Sequence, residues 1–174
     1  NAPESLYRWQ WQTARLLRAE GKEDESLAAY QRAVTLLKPI HYEYSTGYQG
    51  RHHSYYESVA PLFTEYEDVL LRKAAAAKTP EQNEQLLVKV KETIEVSRAA
   101  ELQDYFQDEC VATVASHRGA GALAPGTAVV YPIAFSDRLE LLLETTNGLK
   151  QVRVPVTGDK LTKEIRSFRR LIQD

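Results

Sequence analysis

At Thr127 the spacing of apolar residues switches from the 3.6-residue period of a helix to the two-residue period of a strand, and no other feature constrains the fold as strongly. After the switch, Val129, Tyr131, Ile133 and Phe135 alternate with smaller residues, and "SDR" reads as a turn. Leu139, Leu141 and Leu143 then alternate with Arg138, Glu140 and, imperfectly, Leu142. Asn147–Gly148 is a strong hairpin signal, and Val152, Val154 and Val156 share the next face against Lys150, Gln151 and Arg153. The pattern predicts three antiparallel strands in a meander. From Asp159 onward, Leu161, Ile165, Phe168 and Ile172 fall on one helical stripe, with Asp159 or Thr157 as cap. That helix is expected to cover part of one sheet face, leaving the sheet edges open.

Ahead of the switch the chain reads as helices. "ESLYRWQWQTARLLRAEG" carries a stripe of Leu6, Trp9, Thr13/Ala14 and Leu16/Leu17 and stops at Gly21. "KEDESLAAYQRAVTLLKP" opens on an acidic turn, which suits the positive end of the helix dipole, and presents Leu27, Tyr30, Ala33, Val34 and Leu37 before Pro39. After the irregular connector "IHYEYSTGYQGRHHSYY", an amphipathic helix with Pro61 in its first turn presents Val59, Leu62, Phe63, Tyr66, Val69, Leu70 and Lys73. Thr79 as N-cap and Pro80 at the first helical position start another, which buries Leu87, Val90 and Ile94 and continues through Leu102 and Phe106. A helix this long is expected to bridge two packing units. The glycine-rich stretch "ASHRGAGALAPGTA" then marks the boundary, giving an α+β chain with a helical region over 1–112 and a smaller unit over 113–174.

The first helical pair resembles a tetratricopeptide repeat. Ala14, Ser26 and Ala33 stand at its small positions, Leu17 and Tyr30 at its large ones, Gly21 in the turn and Pro39 at the close; Thr13 departs from the usual leucine. "AAELQDYFQDEC", followed by "LAPGTAVVYPIAFSDRLELLLETTNGLKQVRVPVTGDKLTKEIRSFRRLI", resembles the opening of a CHAT domain, a caspase-like cysteine peptidase domain associated with such repeats. The resemblance implies the start of a caspase-type α/β sandwich. It also implies a catalytic histidine and cysteine downstream of the matched segment, so no catalytic residue is assigned in this chain. The expected role is that of a non-catalytic fragment that recognises a protein partner and scaffolds the rest of its own peptidase domain. The alternative is a stand-alone repeat adaptor binding a peptide or protein.

Charge and composition narrow the partners. A net charge of −2 gives no general reason to bind nucleic acid or an acidic membrane, and no apolar run is long enough for a membrane span. The basic run "KEIRSFRRL" reads as the wet face of an amphipathic helix. Cys110, the only cysteine, excludes an internal disulfide. Paired with His117 it suggests a dyad, but a semi-buried thiol beside a loop histidine is the simpler reading. His41, Glu43, His52 and His53 fit no metal-ligand spacing, the acidic run Glu101, Asp104, Asp108 and Glu109 reads as a solvated face or a salt-bridge partner for Arg98, and Gly119, Gly121 and Gly126 precede a strand, where no phosphate loop sits. No metal or cofactor is expected.

Tyr42, Tyr44, Tyr48, Tyr55 and Tyr56 crowd into one connector, where they suit either a partner interface or packing over the helices. Trp9 and Trp11 point to opposite sides of the first helix, one toward the second helix and the other toward a preceding repeat. Open sheet edges predict dimerisation. The start "NAP", in a chain without methionine, reads as the remnant of a cleaved tag, so the native N-terminus is expected to be missing and localisation defaults to the cytoplasm.

Overall fold

A computed structural model describes residues 2–37, 58–106 and 123–173. These form helices α1 (Ala2–Ala19), α2 (Glu23–Leu37), α3 (Ala60–Ala75), α4 (Pro80–Phe106) and α5 (Gly158–Leu171), and strands β1 (Ala128–Ala134), β2 (Leu139–Thr145) and β3 (Gly148–Val154). The architecture is α+β. The chain divides into two compact units: Asn1–Lys73 with Lys89–Gly121, and Ala74–Val88 with Ala122–Asp174. Residues of the long helix α4 fall in both units, and the tip of the α3–α4 hairpin groups with the sheet.

In the first unit, α1 ends where Gly21 takes φ 75°. The Lys22 N–H reaches back to the Leu17 carbonyl (2.9 Å) and the Gly21 N–H to that of Arg18 (3.1 Å), a left-handed cap that residues with a Cβ rarely adopt. The tight turn lets α2 return against α1, and the two meet at small residues. Ala14 and Ser26 are both fully buried, and the Ser26 hydroxyl donates to the Ala14 carbonyl at 2.8 Å. Leu27, Tyr30, Ala33, Val34 and Leu37 of α2 are buried as predicted, and so are Val59, Leu62, Phe63, Tyr66, Val69 and Leu70 on and just ahead of α3. Tyr30 and Tyr66 stack with ring centroids 6.0 Å apart.

The face of α1 departs from prediction. Leu6, Trp9 and Leu16 lie exposed, Trp9 at 62%, while Tyr7 and Ala14 form the buried row. The inward face of α1 also carries Trp11, Arg15 and Arg18, because α3 offers carboxylates there and not hydrocarbon.

In the second unit, Thr79 caps α4 by accepting from the Gln82 N–H (3.2 Å), and the Asn83 amide donates to the Ala74 carbonyl (2.8 Å), closing the α3–α4 turn. The sheet is the predicted meander, β1-β2-β3, both pairs antiparallel. Its register, however, puts Tyr131 opposite Leu142 and Ile133 opposite Glu140, with Gln151 and Arg153 next in line. One face thus holds Tyr131, Ile133, Leu142 and Glu140, all buried. The leucine row Leu139, Leu141 and Leu143 shares the opposite face with Val152 and Val154 and is only half-buried. Thr157, not Asp159, caps α5, accepting from the Lys160 N–H.

The expectation that α5 covers the sheet is overturned. None of its residues is buried, and Ile165, Phe168 and Leu171, with the adjoining Ile172, are 57%, 64%, 77% and 68% exposed. The stripe exists as the periodicity predicted but has no partner layer among the described residues. No helix among the described residues is long and apolar enough to cross a membrane.

Because the α1–α2 contact is built on small side chains, Ala14→Leu should overpack it and destabilise the first unit by about 1–3 kcal/mol. Urea unfolding followed by tryptophan fluorescence would measure this, with the exposed Leu16→Ala as the near-neutral control.

Candidate functional site

Two polar clusters stand out, one in each unit. In the first, Glu65 of α3 is the hub. It accepts the Trp11 indole N–H at 2.8 Å, the Arg15 guanidinium on both oxygens at 2.5–3.2 Å and the Tyr30 hydroxyl at 3.0 Å. Arg15 also lies 4.2 Å from the Trp11 ring centroid, a cation–π contact. One turn along α3, Asp68 takes Arg18 from α1 and Arg72 from its own helix, while Lys73 pairs with Asp24.

Burial alone would raise the Glu65 carboxyl, but the hydrogen bonds from Arg15 and Trp11 and the Arg15 charge outweigh it and hold it below its ordinary value. Tyr30 is pushed up to about 12 by burial and by the Glu65 charge. With donors from Trp11, Arg15 and Tyr30 all converging on it, this carboxylate ties α1 and α2 to α3.

Glu67, between these two acids in sequence, behaves differently. It is 7% exposed, and burial pushes its carboxyl up to about 8, the Arg98 charge on α4 offsetting only part of this. It is therefore largely neutral at neutral pH.

In the second unit the cluster centres on Glu140, whose exposure is 0%. Its Oε1 accepts from Arg138 Nε and Arg153 Nε, each at 2.7 Å, and its Oε2 from the Gln151 amide at 3.0 Å. Arg138 pairs in turn with Asp137 (3.0 Å) and lies 4.4 Å from the Phe135 ring centroid. Burial would raise Glu140, yet the Arg138, Gln151 and Arg153 hydrogen bonds dominate and lower it. Beside this cluster a cavity of about 380 Å³ is lined by Ala75, Asn83, Leu149, Lys150, Gln151 and Arg153.

Of the residues predicted to meet a partner, Trp9 is exposed and Trp11 is committed to Glu65. Tyr42, Tyr44, Tyr48, Tyr55 and Tyr56 lie outside the described residues, as do His41, Glu43, His52, His53, Asp108, Glu109, Cys110, His117, Gly119 and Gly121. Among the described residues no group of three His, Cys, Asp or Glu side chains could hold a metal ion. The Glu65 and Glu140 hubs escaped the sequence reading. Glu140 stood in an alternating strand beside Arg138, with Arg153 on the next strand, which is the one local signal that could have suggested a cross-strand pair. Comparisons with protein-family models, with curated proteins and with solved structures return no match.

The two acids predict opposite pH limbs. Glu140, lowered by its partners, contributes stability that is present above the ordinary carboxylate pKa and lost as pH falls through its folded value. Glu140→Ala should cost about 3–5 kcal/mol near neutrality by stranding buried Arg138, a loss readable by thermal melts in near-ultraviolet circular dichroism.

Glu67, raised from 4.5 to about 8, makes the first unit less stable as pH climbs between those values. The steepest slope is about 1.4 kcal/mol per pH unit. Glu67→Gln should remove that slope, so its urea midpoint should exceed the wild type's at pH 8.5 by more than at pH 5.

Proposed function

We propose that this chain is a non-catalytic portion of a tetratricopeptide-repeat-associated, CHAT-type cysteine peptidase. On this reading the helical region recognises a protein partner and the meander begins the peptidase sandwich. The observation that carries it is α5, a helix with a complete apolar stripe and no buried residue, whose Ile165, Phe168, Leu171 and Ile172 face outward. Such a face is ordinarily covered by another layer. The half-buried leucine and valine rows of the sheet support the same reading, since a sandwich covers both faces of its sheet. The closely packed first helical pair, meeting at Ala14 and Ser26, supports the repeat assignment.

The chain should hydrolyse no fluorogenic peptide above buffer, and Cys110 should react with iodoacetamide as an ordinary thiol. Light scattering at high concentration should show association, and an environment-sensitive apolar dye should bind; Phe168→Ser should weaken both. A monodisperse monomer that binds no dye would favour the stand-alone adaptor. Peptide hydrolysis abolished by Cys110→Ser would overturn the proposal outright.

A further inference from the structure

We infer that the outward face of α1 is a self-association surface, on which a second copy of this chain lays its own α1 antiparallel. Self-association here goes beyond the peptidase reading and uses α1, where that reading uses α5. Leu6, Trp9, Thr13 and Leu16 follow one another at intervals of three, four and three residues, the a/d seam of two heptads. Leu6, Trp9 and Leu16 are all exposed. The seam cannot turn inward, because the other side of α1 is already committed. Tyr7 and Ala14 are buried there, and Trp11, Arg15 and Arg18 bond the carboxylates of α3. Thr13, the one polar member of the seam, donates its hydroxyl to the Trp9 carbonyl at 2.9 Å, so its polar group is satisfied within the helix.

The seam is complementary to itself in shape. A two-fold axis across its middle sets Leu6 against Leu16 and Trp9 against Thr13, and the same contacts repeat on the other side of the axis. Each large indole then meets a small side chain. Parallel pairing would instead set Trp9 against Trp9 and Thr13 against Thr13, crowding one layer and leaving the other underfilled. The antiparallel arrangement also opposes the two helix dipoles, whereas the parallel one aligns them.

Charge points to the same occupant. Ser5, Gln10, Gln12, Leu17 and Ala19 flank the seam, and none of them is charged. Helices that select a foreign partner do so largely through charges at those flanking positions. An identical copy meets no like charge there. Of the nearby cations, Arg8 lies 5.8 Å from the Tyr7 ring centroid and Arg32 donates to the Gln10 side chain at 3.0 Å, both within their own chain.

Because α2 and α3 hold α1 in place before any encounter, pairing does not have to fold the helix. Two heptads bury less than a standard protein interface, so the pair is expected to be weak and reversible.

The test is sedimentation equilibrium across a concentration series, with every chain carrying Phe168→Ser so that α5 does not contribute. The parent should show a reversible monomer–dimer equilibrium. Leu16→Glu should raise its dissociation constant about tenfold or more. Thr13→Trp, which sets indole against indole, and Trp9→Thr, which leaves a gap, should each weaken the dimer. The double variant Trp9→Thr/Thr13→Trp restores one large and one small residue in each layer and should bring the dimer back. All of these positions lie on the outward face, and circular dichroism checks that each variant keeps its fold. Orientation is read in a Cys110→Ser background: a mixture of Leu6→Cys and Leu16→Cys chains should cross-link under mild oxidation, while Leu6→Cys alone should not.

A chain that stays monomeric at every concentration would leave the seam to a foreign helix and overturn the inference. So would a dimer that Leu16→Glu leaves intact, or a double variant that pairs no better than either single one. Ready cross-linking of Leu6→Cys with itself would show a parallel pair and overturn the antiparallel assignment.

Discussion

The sheet depends on a carboxylate shut away from water. An isolated charge in that position would cost several kcal/mol, and Glu140 is tolerated because Arg138, Arg153 and Gln151 occupy both of its oxygens. That requirement does more than offset a penalty. Arg153 stands directly opposite Glu140 in the ladder, so the satisfied arrangement exists in one register only. A slip of one residue between β2 and β3 would put a valine opposite Glu140 and leave the Arg153 guanidinium without its acid. The apolar rows of β2 and β3 are too alike to choose a register with equal force. Polar pairing specifies the sheet, and hydrocarbon burial by Tyr131, Ile133 and Leu142 stabilises it.

The helical unit repeats this division of labour. Ala14 and Ser26 let α1 and α2 approach closely, and the leucines and valines of α2 and α3 fill the core. The rotation of α1 about its own axis is set by Glu65 and Asp68, which call Trp11, Arg15 and Arg18 inward and turn Trp9 and Leu16 outward. Between them Glu67 meets no such set of donors among the described residues, and burial shifts it toward its neutral form. Two acids two residues apart on one helix, Glu65 and Glu67, thus reach opposite electrostatic outcomes, decided by which side chains face them.

These contrasts explain what the sequence could reveal. Periodicity located every described helix and strand, because the backbone repeat is a local property that residues such as Leu62, Tyr66, Val69 and Ile133 report directly. Caps were readable too: Thr79 and Gly21 act within a few residues of themselves. Facing was not readable wherever the neighbour was polar. A hydropathy stripe assigned Leu6, Trp9 and Leu16 to the interior of α1, since nothing in that segment reveals that its neighbour offers carboxylates. The same limit hid Glu140, whose partner Arg153 lies on the following strand. It also hid the exposure of α5, where a stripe of Ile165 and Phe168 states a capacity for burial and says nothing of whether a surface meets it.

Proline at position 132 carries one more consequence. A sheet that accepts new strands at both ends can grow without limit, each added unit offering a fresh template to the next. Because the Phe135 N–H bonds the Arg138 carbonyl and backbone direction alternates along β1, Pro132 stands on the outer rim of that strand and leaves it without a donor at its middle. A rim interrupted in this way is a poor template for a further strand and disfavours growth into a fibre.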